Sequence, residues 1–160
     1  AIFHFNNENF YIGANLHPRF KCVYEDLLEL QRVGILDGYS ALCWAKSIFE
    51  LGISRNSNYH ECNIIIRKHN DVVTEFCESW WENFKNGYGR DQPAFRVARF
   101  NYPHLKVNSL DLGDIRDKNN LFANCQIHKK RKSRLLRLKR RLKSIINFSE
   151  IKFKHYINQL

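Results

Sequence analysis

Cys62-Asn-Ile-Ile-Ile-Arg67, followed by Asn70-Asp-Val-Val-Thr-Glu-Phe-Cys-Glu-Ser-Trp-Trp-Glu-Asn-Phe84, is the stretch whose reading decides the fold. The first run is short, β-branched and bounded by polar residues, as a buried strand is, and it predicts a strand central in a sheet. In the second run Val73, Phe76, Cys77, Trp80, Trp81 and Phe84 recur at helical spacing, with Asn70 placed to cap and Asp71 in the first turn. Strand followed by helix predicts an α/β layered body. Adjacent positions on a helix cannot face the same way, so one of Trp80 and Trp81 is expected at the surface.

Working outward from this core, the chain turns at Gly87 and Gly89 and presents Arg90-Asp91-Gln92-Pro93. Asp91 is placed to cap a short helix, with Pro93 tolerated in its first turn. Upstream, Phe20–Arg32 and Tyr39–Leu51 carry apolar residues at helical spacing, and Gly52 stands as a C-terminal cap. Downstream, 105–112 reads as extended and 111–120 as loop.

The chain has 160 residues, 44% of them hydrophobic and 14% aromatic, enough for one domain with a real core. It opens at Ala1 and has no methionine, so the expectation is a piece of a longer protein. The five cysteines form no C-x-x-C pair, which predicts free thiols in a reducing compartment and neither zinc nor disulfide chemistry. No run of about 18 apolar residues offers a membrane span.

The net charge of +10 is concentrated at one end: residues 129–160 hold 12 Lys/Arg and one acid, whereas residues 1–128 hold 14 Lys/Arg and 15 acids. The segment from Lys129 continues as an expected amphipathic helix, with Leu135, Leu138, Leu142 and Ile145 on one stripe. That form suits an anionic membrane surface, where each basic residue contributes about 1 kcal/mol. The expected partner is such a surface, engaged through residues 129–148. Specific nucleic-acid binding is not expected, because Lys129 to Asn147 holds no aromatic residue to stack on bases.

Three segments, in order, carry a family resemblance: His17-Pro-Arg-Phe-Lys-Cys-Val-Tyr-Glu-Asp26, then His60-Glu-Cys-Asn-Ile-Ile-Ile-Arg-Lys-His-Asn70, then Trp80-Trp81 leading to Arg90-Asp-Gln-Pro-Ala-Phe95. They span roughly residues 15 to 100. In them the chain resembles the later half of the glycosyltransferase-like domain of plant seed-mucilage proteins and bacterial polysaccharide proteins. The resemblance implies a GT-A-like α/β fold, present here as its C-terminal half. Residues 1–128 would be its acceptor-side part and 129–160 a basic helical tail. It also implies transfer of a sugar from a nucleotide-sugar donor to a hydroxyl of a surface glycan, at the cytoplasmic face of a membrane.

Such enzymes hold Mn²⁺ or Mg²⁺ with an Asp-x-Asp motif. This chain has none, and Asp111-Leu-Gly-Asp114 has a different spacing. A non-catalytic scaffold of the same fold is therefore the alternative reading. His128 resembles the late histidine that approaches metal and diphosphate in GT-A-like enzymes.

Asp91 is the expected catalytic carboxylate, because transfer needs a base for the acceptor hydroxyl's proton. Capping is its competing role. Gln92 suits a sugar hydroxyl, and Arg90 suits either a phosphate or an ion pair with Glu82. Arg67 and His69 follow the strand's C-terminal end, where ligands gather in α/β folds. His17 and Arg19 precede a helix and suit an anion at its N-terminus. Glu61, at the start of the strand, faces either the cleft or solvent.

Overall fold

A computed structural model describes residues 11–117 and Asn120. His128 and the basic segment 129–160 lie outside the described residues. The described chain divides into two compact units, residues 11–19 with 58–117 and Asn120, and residues 20–57.

The first unit is a three-stranded sheet with helices on it, so the α/β expectation holds at this level. Its strands are β1 (Ile12–Leu16), β2 (His60–Arg67) and β3 (Val107–Leu110), in the order β2-β1-β3. β1 runs antiparallel to β2 and parallel to β3. The expected strand exists, but its expected place does not: among the described strands β2 is an edge and β1 is the centre. Sequence reading passed over β1, Ile-Gly-Ala-Asn-Leu, because glycine, alanine and asparagine have low strand propensity. Small side chains suit a strand that is paired on both edges and buried on both faces, and Ile12 through Asn15 are all buried.

Between Ala14 and Asn15 the register jumps, Ala14 facing Ile65 while Asn15 faces Glu61. The bulge redirects the end of β2, as bulges beside polar sites often do.

Two helices cover one face of this sheet. In α3 (Asp71–Asn83), Asn70 accepts from the Val73 amide at 2.9 Å, the predicted cap. Val73 and Phe76 are buried from this helix, each contributing about 2 kcal/mol of apolar burial. They pack with Ile12, Ala14, Phe95, Ala98 and Leu105 in one core. Phe95 is its hub, meeting the rings of Phe76 at 5.4 Å and Trp80 at 5.0 Å edge to face.

Past Asn83 the helix widens into a π-helical turn, Phe84–Tyr88, and ends at Gly89, whose φ of 54° is left-handed. The Gly89 amide closes it on the Phe84 carbonyl at 3.0 Å. Single π-turns cluster at functional sites. From there α4 (Asp91–Asn101) starts.

The second unit holds α1 (Val23–Arg32) and α2 (Gly38–Glu50), the two predicted helices within a few residues. Asp37 caps α2, accepting from the Ser40 amide at 2.9 Å and the Ser40 hydroxyl at 2.7 Å, bonds that hold its carboxyl below the usual range. Gly52 closes α2 at φ 84°, as its position predicted. The Tyr24 hydroxyl donates to the Ile53 carbonyl at 2.7 Å, tying the segment after α2 to α1. The described cysteines Cys22, Cys43, Cys62 and Cys77 are free thiols.

Candidate functional site

The sequence-derived site residues separate into two groups, one at each end of β2. Six residue steps of extended chain divide Glu61 from Arg67, up to about 20 Å.

At the first end Glu61 is 4% exposed, which replaces the solvated alternative with a buried carboxylate. Its Oε1 meets Arg116 Nη2 at 2.9 Å in an ion pair, while Oε2 is buried without a hydrogen bond. Arg116 Nε also contacts Asp114 Oδ1 at 2.7 Å. Burial pushes the Glu61 carboxyl up, against the opposing pull of Arg116 and the Asn63 side chain. The same pair holds the Arg116 guanidinium up, chiefly through Asp114. The two directions are compatible: the carboxylate carries most of the desolvation, and the guanidinium at the rim stays partly solvated.

The loop bearing Asp114 and Arg116 is pinned by Asn15. Its amide donates to the Gly113 carbonyl at 3.0 Å and accepts from the Leu112 amide at 2.9 Å. Arg19 is exposed nearby, its charge felt by both Glu61 and Asp114. His17 Nδ1 accepts from the Arg19 amide at 3.2 Å, and its ring stacks on Tyr59 at 5.6 Å. These contacts make His17 a local turn support.

His60, beside Glu61 in sequence, points to the helical side. Its Nδ1 lies 3.3 Å from Arg99 Nη1 and its Nε2 3.0 Å from Ser109 Oγ. A guanidinium only donates, so Nδ1 accepts and Nε2 carries the proton toward Ser109. His60 thus has no lone pair for the Ser109 hydroxyl, and the pair is no nucleophile and base. Burial, with the charges of Arg99 and Arg96, lowers the His60 pKa to about 4.

At the other end the arrangement is open. A cavity of about 270 Å³ is lined by Arg67, Cys77, Trp80, Trp81, Phe84 and Asp91. A second, of about 280 Å³, shares Arg67, Cys77 and Trp81 and continues past Lys68, His69, Thr74 and Glu78. Trp80 is packed inward and donates through Nε1 to the Asp91 carbonyl at 2.9 Å. Trp81 is 56% exposed, so the expected division of the pair is seen. The Trp81 ring is stacked on Phe84 at 5.4 Å with 11° between the planes, an aromatic platform over whose Trp81 ring Lys85 Nζ lies 5.9 Å from the centroid.

The expected capping role of Asp91 is not seen. The N-cap position belongs to Arg90, in extended conformation and without a capping bond, and Asp91 is the first helical residue. Its carboxylate makes no hydrogen bond or ion pair among the described residues. The start of α4 still favours its negative charge.

Nor does Arg90 pair with Glu82, which is held by Lys85 at 2.7 Å and Asn86 at 2.7 Å. Arg90 Nε and Gln92 Oε1 are buried without partners, and neither residue lines the two cavities. Arg67 is exposed and donates to Cys77 Sγ at 3.0 Å.

Structure therefore brings Asp91 together with Arg67 and, one cavity on, with His69. It separates them from Glu61, His17 and Arg19. Sequence reading missed Arg116 and Asp114 as partners of Glu61, and Cys77, Thr74 and Glu78 as groove residues. Only the helical spacing of Thr74, Cys77, Glu78 and Trp81, one exposed stripe of α3, could have signalled the latter.

The described residues gather no group of three or more His, Cys, Asp or Glu side chains able to hold an ion. Asp114, the acid nearest to the expected type, is engaged by Arg116. The described residues thus do not fit the Mn²⁺ or Mg²⁺ that the resemblance implies. Among them no helix is long and apolar enough to cross a membrane. Compared with family models, curated proteins and solved structures, the chain matches none of them.

Proposed function

We propose that this chain is the acceptor-side part of a GT-A-like glycosyltransferase, moving a sugar from a nucleotide-sugar donor to a hydroxyl of a surface glycan. One observation supports the reading beyond the resemblance: the Trp81–Phe84 platform, with Trp81 exposed, lines one cavity together with Arg67 and with Asp91, whose carboxylate has no partner among the described residues. Flat aromatic faces bind the apolar face of a sugar ring, and carboxylate and guanidinium take its hydroxyls.

In this reading Trp81 stacks the acceptor sugar and Arg67 orients it. Asp91 accepts the proton of the attacking hydroxyl as the oxygen bonds to the donor's anomeric carbon. The bond from that carbon to the diphosphate breaks, and the nucleoside diphosphate leaves with the electron pair. Proton transfer of this kind contributes about 10²–10⁴-fold. The basic segment 129–148 holds the enzyme at an anionic inner membrane surface.

The test uses the full open reading frame, a panel of nucleotide sugars and glycan acceptors, and Mn²⁺ or Mg²⁺ present or absent. Release of nucleoside diphosphate that depends on acceptor supports transfer. Glycan binding without any release would identify a non-catalytic scaffold instead. Flotation with anionic vesicles, lost on deletion of 129–160, tests the membrane part. No flotation of the intact chain would remove it.

A further inference from the structure

We propose that the two cavities beside α3 are successive subsites of one groove, so that the ligand is an oligosaccharide of two or more residues. This rests on the glycan reading above and names the size and seating of the acceptor. Three observations lead there.

The first is continuity. The cavities share the walls formed by Arg67, Cys77 and Trp81. Each, at about 270 or 280 Å³, falls just below the roughly 300–1,000 Å³ of ordinary ligand sites, and the two joined fall inside it. The second is length. Thr74 and Trp81 lie seven helical positions apart, a ridge of about 10 Å, longer than one pyranose ring.

The third is chemistry. The Asp91 side is aromatic, with Trp80, Trp81 and Phe84, as stacking requires. The far side is lined by Lys68, His69, Thr74 and Glu78, where the Thr74 hydroxyl donates to the Asn70 carbonyl and keeps its oxygen as an acceptor, and the Glu78 carboxylate accepts from the hydroxyl edge of a following sugar. The exposed Trp81 stands at the junction and touches both. Reactive end and chain are thereby ordered: the accepting sugar lies at Asp91, and the preceding residue of the glycan lies between His69 and Glu78. Thr74 and Glu78 select for chain length without taking part in the transfer.

Cys77 lies in both cavities and supplies a readout independent of catalysis, while the exposed Cys43, in the other unit, serves as an internal reference. The full chain is titrated with mono- to tetrasaccharides of glucose, xylose, mannose, galactose and galacturonic acid. Alkylation of Cys77 and Cys43 by iodoacetamide is followed by mass spectrometry at each site.

For the sugar that binds, the expected result is slower alkylation of Cys77 alone, with apparent affinity at least tenfold higher for di- or trisaccharides than for the monosaccharide. Thr74→Trp, which fills the far subsite from an exposed position, and Glu78→Ala each remove most of that gain and leave monosaccharide protection as it was. Equal affinity for all lengths, or a Thr74→Trp chain that keeps the full gain, overturns the two-subsite groove while the glycan reading stands. Unchanged Cys77 alkylation with every saccharide overturns both.

Discussion

The two ends of β2 carry similar side chains put to different uses. At the Glu61 end Glu61, Asn15 and His60 are buried and the polar groups are turned on one another: Glu61 on Arg116, Arg116 on Asp114, Asn15 on the loop backbone, His60 between Arg99 and Ser109. At the Arg67 end the groups are exposed or face a cavity, and Asp91 has no side-chain partner among the described residues. A polar group that spends its bonds inside the fold specifies structure, and one that keeps them open can take a ligand. Changes at the closed end should therefore cost stability and spare binding, and changes at the open end should do the reverse.

The sharpest break of that rule is sought first at His60. Replacing it by Ala empties a buried ring site and strands the Arg99 guanidinium, which should cost about 4 kcal/mol in urea unfolding. Saccharide protection of Cys77 should be unchanged in the variant that remains folded. A His60→Ala protein as stable as the parent would show that the closed end is not structural.

The titration of the same residue comes next. In the unfolded chain His60 takes a proton near its ordinary pKa of 6.5, whereas in the fold it stays neutral down to about 4. The unfolded state binds more protons between these values, so this contribution to stability is present above pH 6.5 and is lost as the pH falls toward 4, by about 3 kcal/mol at most. Glu61 acts in the opposite sense. Its raised pKa makes its contribution full at low pH and diminishing as the pH climbs past 4.5. Unfolding curves against pH for the parent, His60→Gln and Glu61→Gln chains should separate the two. Superimposable curves for parent and His60→Gln would remove the histidine from the account.

A smaller loss is expected from Arg116→Ala, about 2 kcal/mol, because it leaves the buried Glu61 with the Asn63 side chain and the exposed charge of Arg19 against the repulsion of Asp114. Denaturation at pH 7 and pH 4.5 checks this: protonation of Glu61 should recover part of the loss at the lower value. Equal losses at both would deny that the carboxylate charge is what Arg116 answers.

The smallest energetic effect belongs to the open end. Trp81→Ala should weaken saccharide binding by about tenfold, near 1.4 kcal/mol, while moving the unfolding free energy by less than about 0.5 kcal/mol, since the ring is largely exposed. Calorimetry with the best saccharide of the series, beside a melting curve, reads both quantities. A large stability loss with intact binding would mean that the platform is a packing device.

How much of this could be read from the chain depended on how local the signal was. α3 and its Asn70 cap were legible because periodicity and cap lie within one short window. α1, α2 and the Gly52 terminus were legible for the same reason. β1 was not, since Gly13, Ala14 and Asn15 look like a loop until two partner strands pair with them. The central position expected for β2 failed on the same point: the centre of the sheet was taken by the strand with the weaker local signal.

At the site, the Arg90-Asp91-Gln92 turn was visible and the exposure of one tryptophan followed from helix geometry. The capping role competing for Asp91 was settled only by where α4 begins, one residue earlier in its cap than the sequence suggested. The separation of Glu61 from Arg67 was legible, since the two stand at opposite ends of one strand, but the burial of Glu61 was not. It depends on Arg116 and Asp114, which are some fifty residues from Glu61 in sequence and are brought to it by the Asn15 clasp.

The central claim is that Asp91 is an open carboxylate serving chemistry and not the fold. Its most direct test is acceptor-dependent release of nucleoside diphosphate by the full-length protein and its Asp91→Asn variant, with melting curves measured on the same samples. The account predicts at least a hundredfold loss of release with no more destabilisation than the lost charge at the start of α4 explains, under about 1 kcal/mol. Undiminished release by Asp91→Asn, or a loss that merely tracks a fall in melting temperature, would contradict it.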